Sequence, residues 1–242
     1  MKRIGVISQA RMTSTRLPGK VLLKAAGRTM LDHHIERLTS ADLPVIVATT
    51  TNATDDPVVE AMTTRGVPVW RGSETDVLSR YLGAIAAHGL DTVVRVTSDC
   101  PLIDGGVVVA ALRTFAALDD PWVYLSNGQD RTYPRGMDFE IFSRQALEDA
   151  AARTTQPYQR EHVTPLLYDG SSNKVRVHHV KRAVDKSMYR VTLDTEPDYR
   201  LIKALIEDYG AADLDCDGII KVLDSHPELV VINSDVQQKQ MT

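Results

Sequence analysis

Three cations stand close together near the start of the chain. Arg11, Arg16 and Lys20 lie in QARMTSTRLPGK, with Thr13, Ser14 and Thr15 between them. A loop of this composition can turn its cations toward one anion, with hydroxyls and backbone N–H groups as further donors. A polyphosphate suits it; the competing reading is a solvated basic surface loop. The stretch is not a Walker A motif, since Val21 stands where a Ser or Thr would reach magnesium and the upstream glycine is missing. Two aspartates follow apolar runs of strand type: Asp99 in VTSDCPLID and Asp194 in VTLDTEPDY. Mg2+ takes one or two carboxylates and fills its remaining positions with phosphate oxygens and water. Asp99 and Asp194 are therefore the minimal pair for one such ion, unless Asp99 only caps a turn before Pro101. Asp104 reads as the N-cap of the next helix. Asp198 reads as a capping-box residue and stays outside the site.

The remaining polar clusters are less decided. In RGSETDVLSRY, Glu74 and Asp76 either accept bonds from a nucleoside or cap the following helix, and capping is the default. Arg71 and Arg80 lie near the presumed ligand edge. TYPRGMDFE and QREHVTP bring Tyr133, Arg135, Asp138, Glu140, Arg160, Glu161 and His162. Their mixed charges suit a polar, hydroxyl-rich or anionic substrate, or else form surface ion pairs. His162 is either a general base or a hydrogen-bonding partner. His178 and His179 are adjacent on a strand, face opposite ways and cannot chelate one metal together. Met30, Met62 and Tyr81 sit at helical spacing and read as core.

The elements that must hold these residues alternate. RIGVIS, VIVATT, VPVW and TVVRVT read as buried strands, with WVYLSN, DFEIF, KVRVHHVK and YRVTLD further on. Helices are expected after Thr29, at DDPVVEAMTTRG with Asp56 as cap, over Val77 to Ile85, from about Gly106 to Leu118, after Ser143, and after Thr195. YQREHVTPLLYD reads as helical until Pro165 interferes. The tail DVQQKQMT is expected to fray. Alternation of this kind implies an α/β fold with a mainly parallel sheet and helices on both faces. Ligands of such sheets sit at the carboxyl ends of the strands, where QARMTSTRLPGK and TSDCPLID both fall.

Composition bounds the classes. The chain has 242 residues, 43% of them hydrophobic, and a formal net charge of −4. That fits one domain with a sizeable core and lacks the basic balance of a nucleic-acid binder. The two cysteines, Cys100 and Cys216, are expected to be reduced thiols. No stretch approaches a transmembrane span or a signal h-region, so a soluble, cytoplasmic protein with no membrane partner is expected.

Six stretches in one order, QARMTSTRLPGK, RGSETDVLSRY, RVTSDCPLID, TYPRGMDFEIFS, REHVTP and LDTEPD, resemble the cytidylyltransferases of the spore coat polysaccharide biosynthesis protein F type. Those are related to the CMP-sialic acid and CMP-Kdo synthetases. The resemblance runs from Arg3 to about Tyr209. It implies a Rossmann-like nucleotidyltransferase fold of the glycosyltransferase-A type, with a mixed, mainly parallel sheet and a small inserted acceptor and dimerisation subdomain at about 127–187. It implies CTP as substrate and Mg2+ as cofactor. An acceptor oxygen attacks the α-phosphorus and pyrophosphate leaves. By position, Arg11, Arg16 and Lys20 hold the triphosphate, and Asp99 and Asp194 hold Mg2+; these five form the implied catalytic set. Gln9, Ala10, Ser14, Thr15, Arg71, Ser73, Asp76 and Arg80 complete the nucleotide site, with Ala10 offering its backbone to the base. Tyr133, Arg135, Asp138, Glu140, Arg160 and His162 face a small anionic or polyhydroxy acceptor. Members usually carry glycine where this chain has Thr13. A homodimer is implied, with KVRVHHVK as the pairing edge. The alternatives on the same fold are a glycosyltransferase consuming a nucleotide sugar, a nucleotidyltransferase for another base, and a non-catalytic nucleotide-binding module.

Overall fold

The computed structural model describes residues 2–237. The first half runs β1 (Ile4–Gln9), the hairpin β2 (Lys24–Ala25) and β3 (Arg28–Thr29), α1 (Met30–Thr39), β4 (Val45–Thr50), α2 (Asp56–Thr64), β5 (Val69–Gly72), α3 (Val77–His88), β6 (Thr92–Thr97) and α4 (Gly105–Leu118). The second half adds β7 (Val123–Ser126), β8 (Glu140–Ser143), α5 (Arg144–Arg153), α6 (Pro157–His162), α7 (Pro165–Tyr168), β9 (Arg176–His179), α8 (Glu196–Tyr209), α9 (Cys216–Ser225) and α10 (Pro227–Val231). Seven strands form one sheet in the order β5-β4-β1-β6-β8-β7-β9. Only β8 runs against its neighbours; every other pairing in that sheet is parallel.

The strands are apolar on both faces because both faces are covered. In β1, Val6 packs with Leu31, Ile35 and Val108 on the side of α1 and α4, while the next residue, Ile7, packs with Leu78, Tyr81 and Ile85 of α3 on the other. Met30, Met62 and Tyr81 are fully buried, as their spacing predicts. A third apolar cluster joins α8 and α9 to Met30, Leu102, Met137 and Val191. Helix starts follow the expected chemistry. Thr29 with Asp32 and Thr195 with Asp198 form capping boxes, and Asp76, Asp104 and Ser143 each accept from a first-turn N–H.

Three expectations need correction. Asp56 does not cap α2; Asp55 stands at that position, and its buried carboxylate is taken up by Thr49, Thr50 and the Met12 N–H instead. Pro165 does not end a helix but starts α7, because its missing N–H is harmless in a first turn. YRVTLD is not a sheet strand. It is extended, with one isolated bridge between Arg135 and Arg190, and its backbone bonds two loops: Val191 N–H donates to Arg135 O (2.7 Å) and Leu193 N–H to Asp99 O (2.7 Å). The expected fraying of the tail falls, from residue 238 on, outside the described residues.

Candidate active site

The cationic loop leaves the carboxyl end of β1, between β4 and β6, where the sheet's connections part to either side. This is the position at which open α/β sheets bind ligands. Short bonds fix its path. Met12 N–H donates to Asp55 Oδ1 (2.7 Å), and Gly19 N–H returns to Met12 O (2.9 Å). Gly19 has φ 67°, a left-handed turn that glycine accepts without a Cβ clash. Thr13 does not have a positive φ, so a threonine fits the loop, and its hydroxyl donates to Glu74 (3.1 Å).

Lys20 begins the short 3-10 turn Lys20–Leu22 and is 8% exposed. Its Nζ lies 3.1 Å from Asp99 Oδ2 and 2.7 Å from Asp194 Oδ1. Arg16 and Arg190 reach the other Asp194 oxygen at 3.0 and 3.2 Å. Burial alone would lower the Lys20 pKa, but the two carboxylates hold it above the ordinary lysine value. Burial would raise that of Asp99, and Lys20 together with the Thr97 hydroxyl brings it below the ordinary carboxylate value.

The backbone around Asp99 is held from two sides. Leu193 N–H and the Thr192 hydroxyl (3.1 Å) both donate to the Asp99 carbonyl. Behind it, His34 Nδ1 donates to Cys100 O (2.8 Å), so Nε2 accepts from Ser8 (2.8 Å), and Ser8 accepts from Ser98 (2.7 Å). Burial pushes the His34 pKa down to about 4, which keeps this relay neutral.

Two carboxylates from separate loops thus converge on one ammonium. An Mg2+ ion fits that donor set if phosphate oxygens and water complete its shell. Among the described residues no third His, Cys, Asp or Glu joins them.

A cleft of about 780 Å3 opens beside this centre, with Asp99 and Asp194 on its wall. Of the six acceptor candidates it gathers Arg135, Asp138 and Glu140. Asp138 accepts from Gly136 N–H (2.9 Å) and pairs with Arg131. Gly136, at φ 104°, is required there, since a Cβ would lie 2.6 Å from the Val191 carbonyl. The other three candidates lie elsewhere. Tyr133 lines a separate cleft with Arg182 and Cys216. Arg160 pairs with Asp76 at 3.0 Å, and His162 ends α6 without lining the cleft.

The nucleotide candidates divide similarly. Arg11, Thr15 and Arg16 are exposed on the loop, and Ser14 is half-buried. The Ala10 N–H is committed to Ala48 O (3.1 Å), while Gln9 Oε1 is buried without a hydrogen-bond partner among the described residues. Arg71 binds the Thr50 and Asn52 carbonyls (both 2.8 Å) and Asp56 (2.7 Å), a structural tie. The Ser73 hydroxyl accepts from Asp76 N–H at 3.0 Å. Arg80 is 1% exposed and donates to Ser73 O (3.0 Å), with Nε and the other terminal nitrogen unpartnered among the described residues.

Sequence reasoning missed Arg95, Arg131 and Arg190. A charged residue inside the apolar strand TVVRVT was the available signal for Arg95; the other two carry none. Both cysteines are free and buried. No helix among the described residues is long and apolar enough to cross a membrane.

Residues 5–222 match the family model of the cytidylyltransferases. This chain belongs to the cytidylyltransferase family. The spore coat polysaccharide biosynthesis protein SpsF of Bacillus subtilis is 30% identical over 244 residues, covering 94% of this chain and 97% of its own. A 3-deoxy-manno-octulosonate cytidylyltransferase of Mesorhizobium japonicum is 38% identical over 122 residues, 47% of this chain and 49% of its own. The structure of a cytidylyltransferase from Leptospira borgpetersenii superposes with a TM-score of 0.92 at 33% identity, covering 99% of this chain and 100% of that one. This last superposition extends over the whole sheet described above.

Proposed function

We propose that this cytidylyltransferase moves CMP from CTP to a hydroxyl or phosphate oxygen of a small anionic or polyhydroxylated acceptor. The observation that carries the reading is the convergence of Asp99 and Asp194 on the Lys20 ammonium at the foot of the Arg11–Arg16 loop. Arg11, Arg16 and Lys20 would bind the triphosphate, with Ser14 and Thr15 as further donors. Asp99 and Asp194 would hold Mg2+, which supplies charge neutralisation on the phosphates. Lys20 and Arg16 would then leave their carboxylates for phosphate oxygens and stabilise the charge that builds on the departing pyrophosphate.

The acceptor oxygen forms the new bond to the α-phosphorus as the bond to the β-phosphate oxygen breaks, and pyrophosphate leaves with the electron pair. A hydroxyl acceptor gives up its proton, for which Asp138 is a candidate in the cleft; a phosphate acceptor has none to lose. Most of the rate would come from position and charge.

The test is thermal stability of the protein with each of the four nucleoside triphosphates, with and without Mg2+. A ligand binding only the native state adds about 2.7 kcal/mol at a hundredfold excess over Kd. A shift for CTP alone, larger with Mg2+, is expected. No shift with any triphosphate, but one with a nucleotide sugar, would overturn the reading.

A further inference from the structure

Arg95 and Glu140 form an ion pair on the floor of the cleft that the centre at Lys20, Asp99 and Asp194 does not touch. They stand directly opposite each other on β6 and β8, the two antiparallel strands at the middle of the sheet. Their side chains are 14% and 18% exposed. One guanidinium N–H donates to Glu140 Oε1. The Arg95 Nε and Glu140 Oε2 atoms are buried and have no hydrogen-bond partner among the described residues. Behind them, the Tyr81 ring lies 5.7 Å from the Arg95 guanidinium carbon, and the Tyr124 hydroxyl, close to Ser126 and Gln129, makes no hydrogen bond of normal geometry.

An ion pair inside a sheet carries a desolvation cost that good geometry only partly offsets. A structural pair would be expected to satisfy its remaining donor and acceptor, since native structures leave few such groups unpaired. Here an N–H donor and a carboxylate acceptor of one ion pair both stay unused, on residues that line the cleft. A hydroxyl answers both, donating to Glu140 Oε2 while accepting from Arg95 Nε–H. A lone carboxylate or phosphate does not, because it would meet Glu140 as a like charge. The anionic end of an acceptor has a different partner in Arg135. It lines the same cleft and has no carboxylate within salt-bridge distance among the described residues, whereas Arg131 is paired with Asp138. Asp99 lies four residues beyond Arg95, in the turn that follows β6, so the ion pair sits further back along the strand than the aspartate. A hydroxyl bound there belongs to the far end of an acceptor whose reacting oxygen lies at the aspartates.

We infer that Arg95 and Glu140 are specificity-determining residues that read a hydroxyl of the acceptor remote from the oxygen that takes CMP, with Arg135 receiving the acceptor's anionic group. The inference rests on the cytidylyltransfer reading and names the residues that select within it. The acceptor is thus a polyhydroxylated anion, and anions without hydroxyls are poor substrates.

The experiment measures pyrophosphate release from CTP and Mg2+ with 3-deoxy-manno-octulosonate, N-acetylneuraminate and an alditol phosphate as hydroxylated probes. Phosphocholine and aminoethylphosphonate serve as hydroxyl-free ones. Wild type should turn over at least one hydroxylated probe and neither of the others. Glu140→Gln should raise the KM for that probe about tenfold or more, the loss of a hydrogen bond to a charged group. The KM for CTP should stay within about twofold, a split that a purely structural role would not produce. If Glu140→Gln misfolds, the double variant Arg95→Met with Glu140→Leu leaves no unpaired charge and should fold with the same acceptor defect. Equal turnover of phosphocholine, an unchanged acceptor KM in the variants, a matching loss of CTP affinity, or no release with any hydroxylated probe would each overturn the inference. The CTP thermal shift is read separately, so a protein that binds CTP but fails here leaves the proposed function standing.

Discussion

Asp198 is fully buried and accepts from Arg190, Asn233, the Thr195 hydroxyl and the N–H groups of Asp194 and Thr195. Asp194, four residues earlier and ahead of the helix, shares Arg190 but opens onto the cleft, where its oxygens meet Lys20 and Arg16. The first carboxylate is closed on every side by fixed donors, so it holds the start of α8 and the segment behind it. The second is held by long side chains that can turn toward another anion. The same residue type in the same stretch becomes framework or site according to whether its partners can leave. Asp198 also keeps Arg190 in place, so the sealed carboxylate orients the cation that borders the open one.

The comparison can be broken at several points. The largest effect is expected at the open pair. Asp99→Asn or Asp194→Asn should cut turnover on the order of a thousandfold, the several kcal/mol that charge neutralisation at the phosphates supplies. Their unfolding free energies in urea should change little, because Lys20 keeps one carboxylate. Asp198→Leu should do the reverse in kind, costing about 3–5 kcal/mol in the same denaturation measurement, since Arg190, Asn233 and the Asp194 and Thr195 N–H groups lose a shared buried acceptor. A stable Asp198→Leu protein would remove the distinction drawn here.

The third effect is on pH. His34 is buried and neutral, with its pKa lowered to about 4 against 6.5 for the unfolded chain. Between those values the unfolded state binds the proton and the native state does not. Stability is therefore complete above about pH 6.5 and falls as pH drops toward 4, by about 3 kcal/mol in all. Urea titrations across this window should show the slope, and His34→Gln, which keeps one donor and one acceptor, should flatten it. The smallest effect is expected at Arg160→Ala. Its bond to Asp76 joins partly exposed side chains and should be worth under about 1 kcal/mol, with kcat unchanged. A large loss of turnover there would return Arg160 to the acceptor site.

Legibility in the sequence followed the range of the interactions. The strands of the first half, the capping boxes at Thr29 and Thr195 and the buried Met30, Met62 and Tyr81 are fixed by neighbours within a few residues, and they stand as read except that β5 begins at Val69, two residues later than VPVW. YRVTLD has the composition of a strand, yet its edge bonds fall to the loops carrying Arg135 and Asp99, so it became an extended tie between loops. Asp56 looked like a helix cap, but Asp55 stands at that position and is instead the anchor of the Met12 loop, 43 residues away in sequence. Among the acceptor candidates, Arg135, Asp138 and Glu140 share the cleft, whereas Tyr133 and Arg160 are drawn to other partners that their local sequence does not reveal.

By itself the sequence determined the α/β alternation, the cationic loop at the end of the first strand and the two aspartates that end later runs, because strand, cap and loop chemistry are local. Only the tertiary structure decided that Lys20 bridges Asp99 to Asp194, 95 residues further on, and that Arg95 meets Glu140 across a strand pairing. Those contacts depend on sheet order and register, which set distances that no local spacing contains.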